Sequence, residues 1–116
     1  MRILFDNNVP VGVCAFLPRH EVRTILEMNW SPKIKNGELL NAAEVAAFDV
    51  LVTSDQNIPY QQKLVRRRLA LVVLSSNIWN VVRNHGAAIE AAVENANPGS
   101  CEVIVMPIPP KSSDPR

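Results

Sequence analysis

The chain has 116 residues, of which 47% are hydrophobic and 5% aromatic, and its formal net charge is +1. We expect a chain of this length to form one domain, with no room for a second core. The near-neutral charge excludes a uniformly basic surface, so any attraction to nucleic acid must come from local patches.

Patterns typical of strands and helices alternate along the chain. The predicted elements, in chain order, are a strand over 2–5, a helix over 10–17, a strand over 21–26, a helix from Asn36 to about Ala47, a strand over 49–53, a short helix over 59–67, a strand over 69–74, a helix over 78–96 and a strand over 102–106. We expect Asn36 to cap its helix and Gly86 to kink or split the longest one.

These elements predict one domain over residues 1–106 and a mobile, proline-rich tail over 107–116. Several strands are apolar on both faces, which is typical of a parallel sheet covered by helices on both sides. We therefore expect an α/β fold with three αβα layers and a mostly parallel sheet of four to five strands. The carboxyl ends of parallel strands share one edge, where ligands bind.

Cysteine usage and hydropathy bear on the compartment. Cys14 and Cys101 form neither a C-x-x-C pair nor a disulfide framework, and their apolar surroundings predict buried, reduced thiols. No signal peptide precedes the first strand, and no apolar run is as long as a membrane span. We expect a cytoplasmic protein without a membrane partner.

Three acidic residues are placed to meet at the functional edge. Asp6 and Asp55 each closely follow a buried strand, and Glu38 lies in the first turn of the helix that leads to the second of these strands. Neighbouring carboxylates repel one another unless a counter-charge is present. A hard cation such as Mg²⁺ or Mn²⁺ provides that charge and prefers oxygen ligands. We therefore predict a metal site formed by Asp6, Glu38 and Asp55.

Polar neighbours support this site, namely Asn8, Thr53, Ser54 and Asn57. A bound metal activates a coordinated water and neutralises the charge that develops on a phosphodiester during in-line attack, which suits a nuclease. Each acid also has a structural interpretation. Asp6 and Asp55 are suited to Asx turns or helix caps, and Glu38 to the helix dipole.

Three segments resemble the PIN-like nuclease domains, in particular the compact VapC-type toxin ribonucleases and their short PIN-like relatives. The segments are LFDNNVP at 4–10, NGELL at 36–40 and VLVTSD at 50–55, and the resemblance spans residues 1 to about 75. It implies a PIN-like fold and a metal-dependent endoribonuclease, with Asp6, Glu38 and Asp55 as the catalytic and metal-binding acids. It also implies an RNA substrate, a cognate antitoxin and a homodimer.

The sequence departs from the family at one point. Many PIN domains have a fourth acid shortly after the third, where this chain has Gln56, Asn57, Gln61 and Gln62. This departure supports one alternative hypothesis, a PIN-like module that binds RNA or a protein without cleavage.

Contacts to RNA are predicted around the acids. Lys33 and Lys35 lie in the loop that leads to Glu38, Trp30 in the same loop is able to stack on a base, and Tyr60 follows the Asp55 turn. Both aromatics have the alternative role of anchoring a loop. The basic run over 66–68 lies towards the other end of its strand and is better explained as a solvated helix end. We expect His20 and His85 at the surface.

A receiver-like phospho-acceptor domain is the second alternative. Residues 2–7 resemble a receiver's first strand, residues 49–59 resemble the strand that carries its phosphorylated aspartate, and Ser75 resembles its hydroxyl residue. Receivers, however, have an acid pair after the first strand and a lysine after the last. This chain has Asp6-Asn7 and Met106-Pro107 at those positions, and Glu38 has no role in that scheme.

Overall fold

The structure is a computed structural model that describes residues 1–61, 63–64 and 67–107. Its strands are β1 (Arg2–Phe5), β2 (Glu21–Thr24), β3 (Val50–Thr53), β4 (Ala70–Leu74) and β5 (Cys101–Ile104). Its α-helices are α1 (Asn36–Val45), α2 (Ile58–Gln61), α3 (Trp79–Val82) and α4 (Gly86–Glu94), and 3₁₀ helices occupy Val11–Phe16 and Arg83–His85. Residues 108–116 of the expected tail lie outside the described residues, as does Arg66 of the basic run.

The strands form one five-stranded sheet in the order β2-β1-β3-β4-β5, and every neighbouring pair is parallel. The register aligns Phe5 with both Thr24 and Val52, and Thr53 with Val73. The carboxyl ends of all five strands therefore share one edge. The predicted parallel sheet and its α/β class are confirmed.

Helices cover both faces of this sheet because successive strand residues point to opposite sides. Ile3 and Phe5 join a core cluster with residues of the first 3₁₀ helix, α3 and α4. Leu4 joins the other cluster, with residues of α1 and α2. The arrangement is compatible with three αβα layers. In the described part of the chain, no helix is long and apolar enough to cross a membrane.

Several local expectations differ from the structure. The first helix is a short 3₁₀ segment. Within the expected helix over 59–67, α2 ends at Gln61, and the described residues 63–64 and 67 are not helical. The long helix is split just before Gly86, as expected, because His85 leaves the helical conformation (φ −117°, ψ 24°) between the 3₁₀ turn and α4. Gly86 lies close to Phe16, and a Cβ there would lie 2.6 Å from that ring. Asn36 does not cap α1, since the cap residue is Lys35 and no side chain bonds there.

Three side chains differ from the expected burial. Cys14 and Cys101 are reduced but exposed, because Cys14 lies on the outer side of the 3₁₀ helix and Cys101 begins an edge strand. His20 was expected at the surface, yet its side chain is 9% exposed. The His20 Nδ1 lies 3.2 Å from the amino group of Met1, so the imidazole packs next to the residue that precedes β1.

An ion pair at the amino-terminal edge of the sheet joins α1 to the segment before β4. The Arg67 guanidinium donates to Glu44 Oε1 at 2.5 Å, and the Arg68 N–H donates to Glu44 Oε2 at 2.8 Å. The Arg67 and Glu44 side chains are each 19% exposed. Burial raises the pKa of Glu44, but the donors from Arg68, Arg67 and Leu69 outweigh it, so the net pKa lies below its ordinary value.

We predict that Glu44→Gln lowers the free energy of unfolding at neutral pH by about 1–2 kcal/mol, because charge-assisted hydrogen bonds are lost. The pKa of Glu44 is lower in the folded state. Its contribution is therefore complete above the ordinary pKa of 4.5 and declines as the pH falls below that value. Urea unfolding at neutral and acidic pH measures the difference. Glu102→Gln, at an exposed acid of β5, is the control, and an equal Glu44→Gln effect at both pH values would contradict the assignment.

Candidate active site

One hydroxyl at the carboxyl edge of the sheet joins the Asp6 carboxylate to the backbone of Asp55. Thr53 Oγ1 donates to Asp6 Oδ2 at 2.8 Å and accepts from the Asp55 N–H at 3.0 Å. Thr53 is fully buried, so its hydroxyl has no contact with solvent. The structure therefore brings Asp6 and the Asp55 turn together, as predicted from their positions after neighbouring strands.

The strand register explains this proximity. Asp6 directly follows β1, and its N–H donates to the carbonyl of Val52 at 2.9 Å, which continues the ladder between β1 and β3. Thr53 is the last residue of β3 and follows the final β1–β3 pair, Phe5 with Val52. Adjacent parallel strands thus place Thr53 beside the first loop residue of β1.

Each oxygen of the two carboxylates receives a donor from the protein. Asp6 Oδ1 accepts from the Asn7 N–H at 2.8 Å, and Asp55 Oδ1 accepts from the Asn57 N–H at 2.9 Å. Asp55 Oδ2 accepts from Asn36 Nδ2 at 3.2 Å. These bonds set the orientation of both carboxylates, and the remaining lone pairs are able to accept a cation.

Side-chain amides connect the loops around the aspartates. Asn8 Oδ1 accepts from the Ser54 N–H at 2.9 Å, which ties the loop after β1 to the loop after β3. Asn7 Nδ2 donates to the carbonyl of Pro32 at 2.9 Å, in the loop before α1. Gln56 Nε2 donates to the carbonyl of Ser75 at 3.3 Å, after β4. Four loops are therefore joined at this edge without an ion pair among these contacts.

Glu38 lies in the first turn of α1 and is exposed. The same turn begins with Asn36, which contacts Asp55. Among the described residues, no group of three or more His, Cys, Asp or Glu side chains is arranged to hold a metal ion. Asp6 and Asp55 each provide carboxylate oxygens, the ligand type that Mg²⁺ prefers, and this cation uses only one or two carboxylates and keeps several waters.

The residues predicted to contact RNA have different surroundings. Lys33 and Lys35 are exposed. Lys33 follows Pro32, whose carbonyl accepts from Asn7, and Lys35 precedes Asn36, which donates to Asp55. Trp30 packs edge-on against Phe48 with ring centroids 6.3 Å apart, which favours the loop-anchoring interpretation. The side chain of Tyr60 lies outside the described part of the chain.

Asn36, Asn7 and Gln56 are site residues that the sequence interpretation missed or assigned elsewhere. Asn36 was expected to cap α1 and instead donates to Asp55. The sequence feature that could have indicated these residues is the high number of Asn and Gln residues in the loops that carry the aspartates. Amide side chains in such loops either close local turns or bridge to other loops, and the sequence does not separate these two roles.

Comparison with known proteins gives no match: no protein family, curated protein or solved structure is significantly similar to this chain.

We predict that Thr53→Val lowers the free energy of unfolding by about 1–3 kcal/mol, because it leaves the Asp55 N–H and one oxygen of Asp6 without their buried partner. Thr53→Ser, which keeps the hydroxyl, is the matched variant and is expected to lose less. Urea unfolding followed by circular dichroism compares the two. A valine variant as stable as the serine variant would show that the hydroxyl bridge contributes little.

Proposed function

We propose that this protein is a divalent-metal-dependent endoribonuclease that hydrolyses phosphodiesters of RNA, with Asp6, Asp55 and Glu38 as its acidic residues. The observation that carries the proposal is the pair of aspartates joined through the buried Thr53 hydroxyl at the ligand-binding edge of a parallel sheet. Backbone and side-chain donors fix the carboxylates of both aspartates, and carboxylate oxygens are the ligands that Mg²⁺ and Mn²⁺ prefer.

The metal, when bound, would activate a water and neutralise charge on the phosphodiester. The protein's own residues orient the reactants. Thr53 and Asn7 fix Asp6, while Asn57 and Asn36 fix Asp55. Little reorganisation is then needed when substrate binds, which favours catalysis.

Lysines next to the site provide charge for the substrate backbone. The loop that carries Lys33 is bound to the site through the Asn7 contact to Pro32. Lys35 precedes Asn36, which donates to Asp55. Exposed cations in such positions are suited to contact phosphates that flank the scissile bond.

We predict that the wild-type chain cleaves single-stranded RNA with Mg²⁺ or Mn²⁺, that EDTA stops cleavage, and that Asp55→Asn reduces the rate by at least about 100-fold. Gel analysis of end-labelled RNA measures the rate. Asp49→Asn is the matched control, because Asp49 directly precedes the same strand at its opposite end. It should retain cleavage.

The same assay examines Glu38. Glu38→Gln reduces cleavage if this exposed acid completes the metal site, whereas full activity would remove Glu38 from the proposed set. RNA binding without cleavage by the wild-type chain under any metal condition would contradict the nuclease proposal and favour the silent RNA-binding module. An Asp55→Asn variant that is unfolded by circular dichroism would mark Asp55 as structural.

We further propose that the nuclease acts as a toxin countered by a cognate antitoxin, a role that rests on the resemblance of 4–10, 36–40 and 50–55 to VapC-type sequences. Expression of the wild-type chain alone should slow bacterial growth, because uncontrolled RNA cleavage halts translation. Expression of Asp6→Ala at the same level should not. Optical density after induction measures both, and equal growth would contradict the toxin role.

A receiver-like phospho-acceptor is the second candidate function. The strand order β2-β1-β3-β4-β5 is also the order of receiver domains, in which ligands bind at the switch point between β1 and β3. Asp55 follows β3 closely, but Asp55 Oδ1 and Oδ2 both accept hydrogen bonds and Met106-Pro107 replaces the expected lysine. Stoichiometric labelling of Asp55 by a small phosphodonor, without RNA cleavage, would favour this candidate.

A further inference from the structure

An exposed tryptophan lies at the same edge of the sheet as the two aspartates. Trp79 is the first residue of α3, which follows the carboxyl end of β4, and 39% of its surface is exposed. The loop between β4 and α3 is bound to the loop after Asp55 through the contact between Gln56 and Ser75. Trp79 is therefore placed on the β4 side of the candidate site.

The indole of Trp79 packs against the 3₁₀ helix that follows β1. The Phe16 ring stacks against it with centroids 6.0 Å apart and planes 21° apart. Gly12 also approaches it closely, and a Cβ at that position would lie 2.6 Å from the indole. The 3₁₀ helix that carries Gly12 and Phe16 follows the Asp6 loop. The ring is thus held by packing, and its remaining surface faces outward.

No acidic residue lies close to Trp79 in the chain, and the nearest cation along it is Arg83, whose backbone N–H donates to the Trp79 carbonyl. Neither residues 7–18 nor residues 69–82 contain an Asp, Glu, Lys or Arg. Val11 and Ile78, next in sequence to Gly12 and Trp79, are 69% and 52% exposed. An uncharged aromatic surface does not repel a nucleobase, and every base has a π-face that stacks on tryptophan.

We infer that Trp79 is a stacking platform for an unpaired base of the RNA substrate, next to the scissile position. The inference rests on the proposed function and adds a base-contacting residue to it, and the base must be unpaired because a base within a duplex has no free face for the indole. The RNA would cross the edge of the sheet from Lys33 and Lys35, over the aspartates, to Trp79. The indole would thereby fix the register of the cleaved bond.

Tryptophan emission provides a direct test. The chain has two tryptophans, and Trp30→Phe keeps an aromatic ring against Phe48 while leaving Trp79 as the sole emitter. Asp55→Asn in the same protein prevents cleavage during titration. We expect a short oligoadenylate to quench the emission, and an RNA duplex of equal length to leave it nearly unchanged. In the same background, Trp79→Leu should weaken oligoadenylate binding by roughly 5- to 150-fold, with Trp79→Phe in between.

The outcomes separate this inference from the proposed function. Cleavage by the wild-type chain, with no quenching and unchanged binding by Trp79→Leu, would overturn the platform and leave the nuclease intact. Quenching by oligoadenylate without cleavage by the wild-type chain would support the platform and overturn the nuclease. Emission that depends on protein concentration without RNA would show that a second copy covers Trp79, and would overturn the platform. Circular dichroism of Trp79→Leu confirms that the variant is folded.

Discussion

The hydroxyl of Thr53 is the interaction on which the candidate site depends. The Asp55 N–H is able only to donate, so the hydroxyl accepts from it and directs its single proton to Asp6 Oδ2. Because Thr53 is fully buried, water cannot replace either bond. A buried polar group without a partner is costly, so the fold is more stable when Asp6 and the Asp55 turn lie on either side of this residue. Stability and the geometry of the site thus impose the same requirement.

Amides extend this constraint over the rest of the edge. Asn7 joins the loop after β1 to the loop before α1. Asn8 joins the loop after β1 to the loop after β3. Gln56 joins the loop after β3 to the loop after β4. Neutral amides supply both donors and acceptors, so they hold the loops without adding charge beside two carboxylates. Additional acids would increase repulsion, and lysines in these positions would pair with the aspartates and occupy the oxygens that a cation needs. The composition of the loops therefore favours a site that is ordered before any ligand binds.

The sheet and the aspartate pair were predictable from sequence, because both depend on strand periodicity and on the rule that parallel strands end at one edge. The missed features depend on contacts between distant segments. Asn36 has the signature of a cap, and only the position of α1 relative to β3 makes it a partner of Asp55. The sequence does not distinguish the environments of the two tryptophans, yet Trp30 packs against Phe48 whereas Trp79 stacks on Phe16 and is partly exposed. The end of α1 also lacks its usual signal, since Ala47 adopts the left-handed conformation (φ 63°) that glycine favours.

The charge distribution differs between the two sides of the candidate site. In the proposed site, three carboxylates around one divalent cation would retain a net negative charge, which would oppose the approach of a phosphodiester. Lys33 and Lys35 are next in sequence to residues that bind the site, and they offset this charge on the α1 side. The β4 side has no cation within residues 69–82, the next one being Arg83 after α3, and it presents the indole of Trp79. Under the proposed function, phosphates would bind on the α1 side of the aspartates and a base on the β4 side. The neutral Gln56 between the two sides contacts the carbonyl of Ser75. A carboxylate in place of this amide has no N–H to donate to that carbonyl, so Gln56 also maintains the connection to the Trp79 side.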